Sequence, residues 1–258
     1  MDSSPIVHEP PVPVGAGAGA TRGGFLRKAG VGGVALVGGG ALLGATAGVA
    51  RAGHGTPAAP DTVADLDVLN YALTLEYLEA AFYVQALGGA GTAAKFSKGA
   101  ITGSKLFKGF DGRVRSTAYG YLSQIRNHEV AHVAFLRNAL GNNAVPTCVF
   151  KFDAGLKNVD TFLKTARVLE NTGVMAYDGA IRHLDTGDFL QAAATVATVE
   201  ARHAAYLNLI NRASPFPAAF DPTKTPSEIF AAVQATGFLV SCPQPVVDLF
   251  ARFKAAGR

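Results

Sequence analysis

Asn127-His128-Glu129-Val130-Ala131-His132 decides how the chain is read, together with its echo at Glu200-Ala201-Arg202-His203. Both stretches contain Glu-x-x-His. On a helix, positions i and i+3 lie on one face, so each pair turns a carboxylate and an imidazole toward the same point. A single pair carries little information. Two pairs, each with a further glutamate on a helical segment ahead of it (Glu76 and Glu170), supply the ligand set of a two-metal carboxylate site held between four helices.

The flanking sequence provides those helices. Apolar residues recur at Leu66, Leu69, Ala72, Leu73, Leu75, Leu78, Phe82 and Leu87, a helical period that Asp61 or Thr62 can cap and Gly88-Gly89 should end. Residues 88–113, rich in Gly, Lys and Phe, show no sustained period and are read as a long loop. Three more helices are predicted over 114–140, 159–184 and 189–212, with stops at Gly141-Asn142-Asn143, near Gly187, and at Pro215 and Pro217. The connection from about 142 to 156 is long enough to run back along a bundle of such helices, which places one crossover between the second and third. The resulting fold class is all-α: a four-helix bundle over 61–212 with a C-terminal helical extension over 213–258. Two short helices, near 227–235 and 246–254, are expected in that extension, packed on the bundle.

The two halves echo each other. Glu76 is followed seven residues later by Tyr83, and Glu170 seven later by Tyr177, so each Glu–Tyr pair shares a helix face and precedes a Glu-x-x-His helix. Tyr83 and Tyr177 are therefore placed near the site. Glu79 is read as a solvated residue, and Glu76 is preferred as the ligand because it has the tyrosine that Glu170 also has.

The chemistry follows from burial. Glu76, Glu129, His132, Glu170, Glu200 and His203 all sit in apolar or small-residue contexts, and burying one unpaired carboxylate costs several kcal/mol. Four carboxylates together raise one another's pKa values unless cations compensate them. Two divalent ions would do so, with two glutamates bridging, two terminal, and one histidine on each ion. Mixed oxygen and nitrogen donors suit iron or manganese better than a metal that prefers soft ligands.

At 258 residues, 49 % apolar and 16 % charged with no Trp, the chain can bury one substantial core. Its formal charge of +4 is not clustered, and no basic block tracks a nucleic acid. Residues 1–20 are rich in Pro, Gly and Ala. They lead into the basic stretch Thr21-Arg22-Gly23-Gly24-Phe25-Leu26-Arg27-Lys28, an uncharged run from Ala29 to Ala50, and the small-x-small site Ala50-Arg51-Ala52. That order is that of an export signal over 1–52, followed by a linker over 53–60, and predicts a periplasmic or extracellular protein with no stable membrane insertion after cleavage. A membrane anchor is the alternative, but the glycine content makes the run weakly hydrophobic. The segment resembles a twin-arginine signal at Thr21, Arg22, Phe25 and Leu26, with Gly23 in place of the second arginine. Cys148 and Cys242 fit no Cys-x-x-Cys motif. They would pair in an oxidising compartment and stay free in a reducing one.

The order Glu, Glu-x-x-His, Glu, Glu-x-x-His over roughly 61–212 resembles the ferritin-like di-metal carboxylate superfamily, which includes rubrerythrins, bacterioferritins and manganese catalases. More narrowly, the segment from Leu69-Asn70-Tyr71 through Leu75-Glu76-Tyr77-Leu78-Glu79 to Phe82-Tyr83 resembles the opening of the desiccation-related ferritin-like proteins. The resemblance implies a di-iron or di-manganese site at the six residues named, with no rubredoxin-like four-cysteine domain attached. The partners expected on this reading are a small oxidant, peroxide or oxygen, or Fe(II) itself, with self-association into a homo-oligomer left open. Two rivals remain. His128-Glu129-x-x-His132 is also a zinc-protease signature, with Glu129 as general base. Alternatively, the bundle protects surfaces during drying, and any metal only staples its core.

Overall fold

The computed structural model describes residues 64–89 and 91–258. The expected export signal, the linker, and the caps at Asp61 and Thr62 lie outside the described residues. Seven α-helices carry the described chain: α1 (Asp65–Leu87), α2 (Lys98–Thr102), α3 (Gly112–Leu140), α4 (Val159–Ala180), α5 (Gly187–Ile210), α6 (Pro226–Ala235) and α7 (Gln244–Ala255). The fold is the expected all-α bundle. Helix α1 packs chiefly on α3, and α4 on α5, so two helical hairpins face each other with the crossover between α3 and α4.

Helix α1 is the central element. It is buried on nearly every side, from Val68 through Glu79 without interruption, which its almost continuous apolar sequence allows. The other three long helices are amphipathic. Asp111 caps α3 by accepting from the Arg113 amide, and Asn158 caps α4 by accepting from Thr161. The crossover is pinned to α1 by a buried asparagine: Asn70 donates to the Asn143 carbonyl and accepts from the Val145 amide at 2.8 Å.

The segment 88–113 corrects the expectation of an unstructured loop. It holds α2 and a 3-10 turn at Lys105–Phe107, capped by Ser97 and Ser104, and it buries Phe96, Ile101 and Phe107. The extension also contains a piece of structure the sequence did not announce. Val149–Phe150 (β1) pairs antiparallel with Leu239–Ser241 (β2), next to a disulfide between Cys148 and Cys242. Helix α6 packs on α4 and α7 on α1, where Arg252 forms a paired contact with Asp67 at 2.6 and 2.8 Å. Among the described residues, no helix is long and apolar enough to cross a membrane.

Candidate metal centre

Six side chains meet in the middle of the bundle. Glu76 comes from α1, Glu129 and His132 from α3, Glu170 from α4, and Glu200 and His203 from α5. The four glutamates have no exposed surface, and the His132 and His203 side chains are 12 % and 5 % exposed. All six residues singled out from the sequence are thus brought together.

The arrangement has approximate two-fold symmetry. His132 Nδ1 lies 3.2 Å from Glu76, 3.4 Å from Glu129 Oε2 and 3.2 Å from Glu200 Oε1. His203 Nδ1 lies 3.1 Å from Glu170, 3.0 Å from Glu129 Oε1 and 3.9 Å from Glu200 Oε1. Two overlapping donor groups result, Glu76–Glu129–His132–Glu200 and Glu129–Glu170–Glu200–His203, each with its ligand atoms within 4.8 Å of one another. Glu129 and Glu200 belong to both groups. Glu76 and Glu170 belong to one each.

The tyrosines lie at the centre, and the structure adds which carboxylate each one reaches. Each shares a face with the glutamate of its own helix but binds the glutamate of the other hairpin. Tyr83 donates to Glu170 Oε1 and Tyr177 to Glu76 Oε1, both at 2.6 Å. This leaves Oε2 of each terminal glutamate turned toward its histidine. Burial raises both phenols well above their ordinary pKa, and the adjacent carboxylates add to it, so they remain donors.

Whether these residues fit a metal pair is answered by their unsatisfied oxygens. Both carboxylate oxygens of Glu129 and of Glu200 are buried without a hydrogen bond, although the imidazoles lie close by and out of line. A buried acceptor left unpaired costs about 1–3 kcal/mol, and more when charged. Oxygen-rich groups with one nitrogen each, in a dry apolar shell, suit hard or borderline divalent cations. The residues fit.

Without such cations, protons must offset the charge. Burial, reinforced by the charge of Glu170, raises Glu129 to about 7, and burial with the charges of Glu129 and Glu170 raises Glu200 well above the usual carboxylate range. Burial alone would lower His203, but the charge of Glu170 and its contacts with Glu129 and Glu170 outweigh it and raise the imidazole to about 10. His132 is raised in the same way by Glu129, Glu200 and Glu76. Glu76 moves down despite its burial, because His132 and Tyr177 stabilise its charged form.

A family comparison agrees with this geometry: a model of the ferritin-like domain matches residues 64–212. The chain belongs to the ferritin-like domain family. No curated protein matches the chain. The ferritin-like match runs from the start of α1 to just beyond α5 and takes in every residue of the centre.

Two further residues of this ferritin-like centre were misjudged or left undecided from sequence. Glu79 is not solvated but 4 % exposed, pushed well above the usual carboxylate range by burial and by the charges of Glu200, Glu170, Glu129 and Glu76. The signal was present, since Glu79 stands at i+3 from Glu76 and therefore on its face. His128 joins the centre indirectly. Its Nδ1 lies 2.9 Å from Nε2 of His203, on the side of that ring away from the carboxylates. His128 belongs to neither donor group, so neither contains the His128–His132 pair that a zinc-protease reading needs.

Proposed function

We propose that the protein is an exported oxidoreductase that binds two iron or manganese ions and reacts with peroxide or dioxygen, in oxidative or desiccation stress. The observation that carries this reading is the sharing of Glu129 and Glu200 between two otherwise separate donor groups. In it, Glu129 and Glu200 would be shared between the ions, Glu76 and His132 would hold one, and Glu170 and His203 would hold the other. When bound, such a pair supplies Lewis acidity and two metal-held electrons at one place.

The chain's own residues then have definite tasks. Tyr177 and Tyr83 each donate to one oxygen of Glu76 and Glu170, which holds the carboxylate and leaves its other oxygen turned toward the histidine. His128 fixes the ring of His203 through Nε2 and leaves Nδ1 facing the carboxylates. The apolar shell keeps bulk water out, and the nearly complete burial of every donor restricts access to small molecules. That favours peroxide, dioxygen or Fe(II) as the reactant over a polypeptide. Export is supported by the order of charge and hydropathy in 1–52 and by the Cys148–Cys242 disulfide, since such bonds persist in oxidising compartments.

The test is the metal content of the purified chain after anaerobic loading, beside a Glu129→Ala/His203→Ala double variant. Two Fe or Mn per wild-type chain, lost in the variant, support the centre and justify peroxidase, catalase and ferroxidase assays. A folded wild-type chain that takes up no metal would falsify the two-metal reading and leave a structural bundle.

A further inference from the structure

The bundle is packed differently on the two sides of its centre. The register that matches Glu76 to Glu170 and Tyr83 to Tyr177 also matches Val68 to Phe162 and Phe82 to Ala176. The register that matches Glu129 to Glu200 sets Leu122 against Ala193. At one end the large side chains fill the space. Phe162 packs on Tyr83 with ring centroids 6.0 Å apart and on Phe82 at 5.5 Å, and Tyr83 and Leu122 have no exposed surface. At the other end the smaller counterparts Val68, Ala176 and Ala193 line a cavity. Tyr177 and Ala193, 6 % and 9 % exposed, both belong to its walls.

The cavity lies against the centre. Its walls include Leu75, next to Glu76, Leu136, one turn beyond His132, and Val196, one turn before Glu200. Tyr177 closes the same side, with its hydroxyl committed to Glu76.

Size and chemistry narrow what the space can hold. Its volume is about 20 Å³, against the roughly 10–15 Å³ that one water-sized molecule needs. A diatomic molecule suits it, and an acyl chain or an aromatic ring is too large. No polar atom of the walls faces the cavity. Hydrogen peroxide would give up the hydrogen bonds of both its hydroxyls on entering, and Fe(II) its shell of water. Dioxygen has neither to lose, and apolar cavities stay dry and take up apolar guests.

Resting on the two-metal reading, we propose that this cavity is a dioxygen-binding subsite that supplies the Glu76–His132 side of the centre. The reactant so selected is dioxygen rather than peroxide. The two electrons of a divalent pair, with two protons, reduce dioxygen to hydrogen peroxide and leave both ions trivalent. Ala176 and Ala193 are then specificity-determining residues, because the space they leave is filled by Phe82 and Leu122 at the other end.

The first test uses the metal-free full chain, methyl-labelled at Leu, Val and Ala, under dioxygen pressure in the NMR tube. Dioxygen is paramagnetic, so it should speed relaxation of the methyls of Leu75, Ala193 and Val196 far more than those of Leu122 and Leu163 at the filled end. Equal effects at both ends would overturn the assignment. The second test loads the chain anaerobically with Fe(II) and follows its oxidation by dioxygen or by hydrogen peroxide in stopped flow. Wild type is compared with Ala193→Leu, which reproduces Leu122, and with Ala193→Val, a milder filling in case the larger side chain prevents folding. Filling the cavity should slow the dioxygen reaction on the order of tenfold and leave the peroxide reaction near its wild-type rate. Equal slowing of both oxidants, or of neither, would overturn the assignment. A folded chain that shows the methyl effect but binds no Fe(II) would remove the two-metal reading and with it the role of the cavity, an outcome distinct from unselective rates in a loaded chain.

Discussion

The tyrosine–glutamate contacts separate what sequence position tells from what packing decides. Two turns along a helix put Tyr83 on the face of Glu76 and Tyr177 on the face of Glu170, and both faces do point into the centre. Which carboxylate each phenol reaches depends on how the hairpins dock, and no local spacing encodes that. The contacts run crosswise, so a change on one hairpin should be felt at the ion of the other. A hydrogen bond to a charged acceptor is worth about 1.5–3 kcal/mol, or roughly tenfold to a hundredfold in affinity. Tyr177→Phe is expected to weaken metal binding by at least about tenfold without unfolding the chain. The discriminating measurement is a double-mutant cycle in metal titrations. Tyr177→Phe should have little further effect when Glu76 is already Ala, and close to its full effect when Glu170 is Ala. The reverse pattern would mean that each tyrosine serves its own helix.

At the scale of elements, the long helices were legible because about 22–29 residues give a periodic pattern many turns in which to repeat. The short ones were not. Helix α2 has five residues, too few for a period, and only Ser97 signals its start, as Ser104 does for the 3-10 turn that follows. The β1–β2 pair is shorter still, and its strands are brought together from distant parts of the chain. Gly179 was equally silent in sequence, since a lone glycine in a helical pattern usually marks only a weak spot. In the structure it is a docking point. A Cβ there would lie 1.9 Å from the Lys224 carbonyl oxygen, and the Lys224 amide donates to Met175 of α4 at 3.2 Å. Gly179→Ala must therefore push the backbone leading into α6 off α4, at a cost of about 1–3 kcal/mol. Gly187→Ala is the matched control, because nothing lies within 4 Å of a Cβ at that helix start. Urea unfolding should show a clearly lower midpoint for Gly179→Ala and none of that loss for Gly187→Ala. Equal midpoints would mean that the extension does not rest on α4 in solution.

For the whole molecule, the bundle is built around charge that its sequence cannot neutralise. The rest of the structure is arranged to hold that charge in place: α1 buried on nearly all sides, the crossover pinned by Asn70, and the extension fastened by the disulfide and by Arg252 on Asp67. Stripped of metal, the folded chain keeps protons that the unfolded chain releases. Glu129 titrates at about 7 in the folded state against 4.5 in its ordinary state, and His203 at about 10 against 6.5. Both shifts are upward, so between about pH 4.5 and 10 the folded state binds more protons than the unfolded one, and stability falls as pH rises. For Glu129 the loss spans about 4.5 to 7 and for His203 about 6.5 to 10. Glu76 moves downward instead, so its contribution is present above its ordinary value of 4.5 and is lost only in acid, outside most of this window. Bound cations reverse the requirement, because ligands must shed their protons to coordinate and affinity rises with pH. Thermal melts of chelator-stripped protein should therefore show a lower midpoint at about pH 8.5 than at about pH 5.5, and the gap between loaded and stripped protein should widen over the same interval. A stripped chain as stable at the higher pH as at the lower would mean that its buried carboxylates are already neutralised by something other than protons.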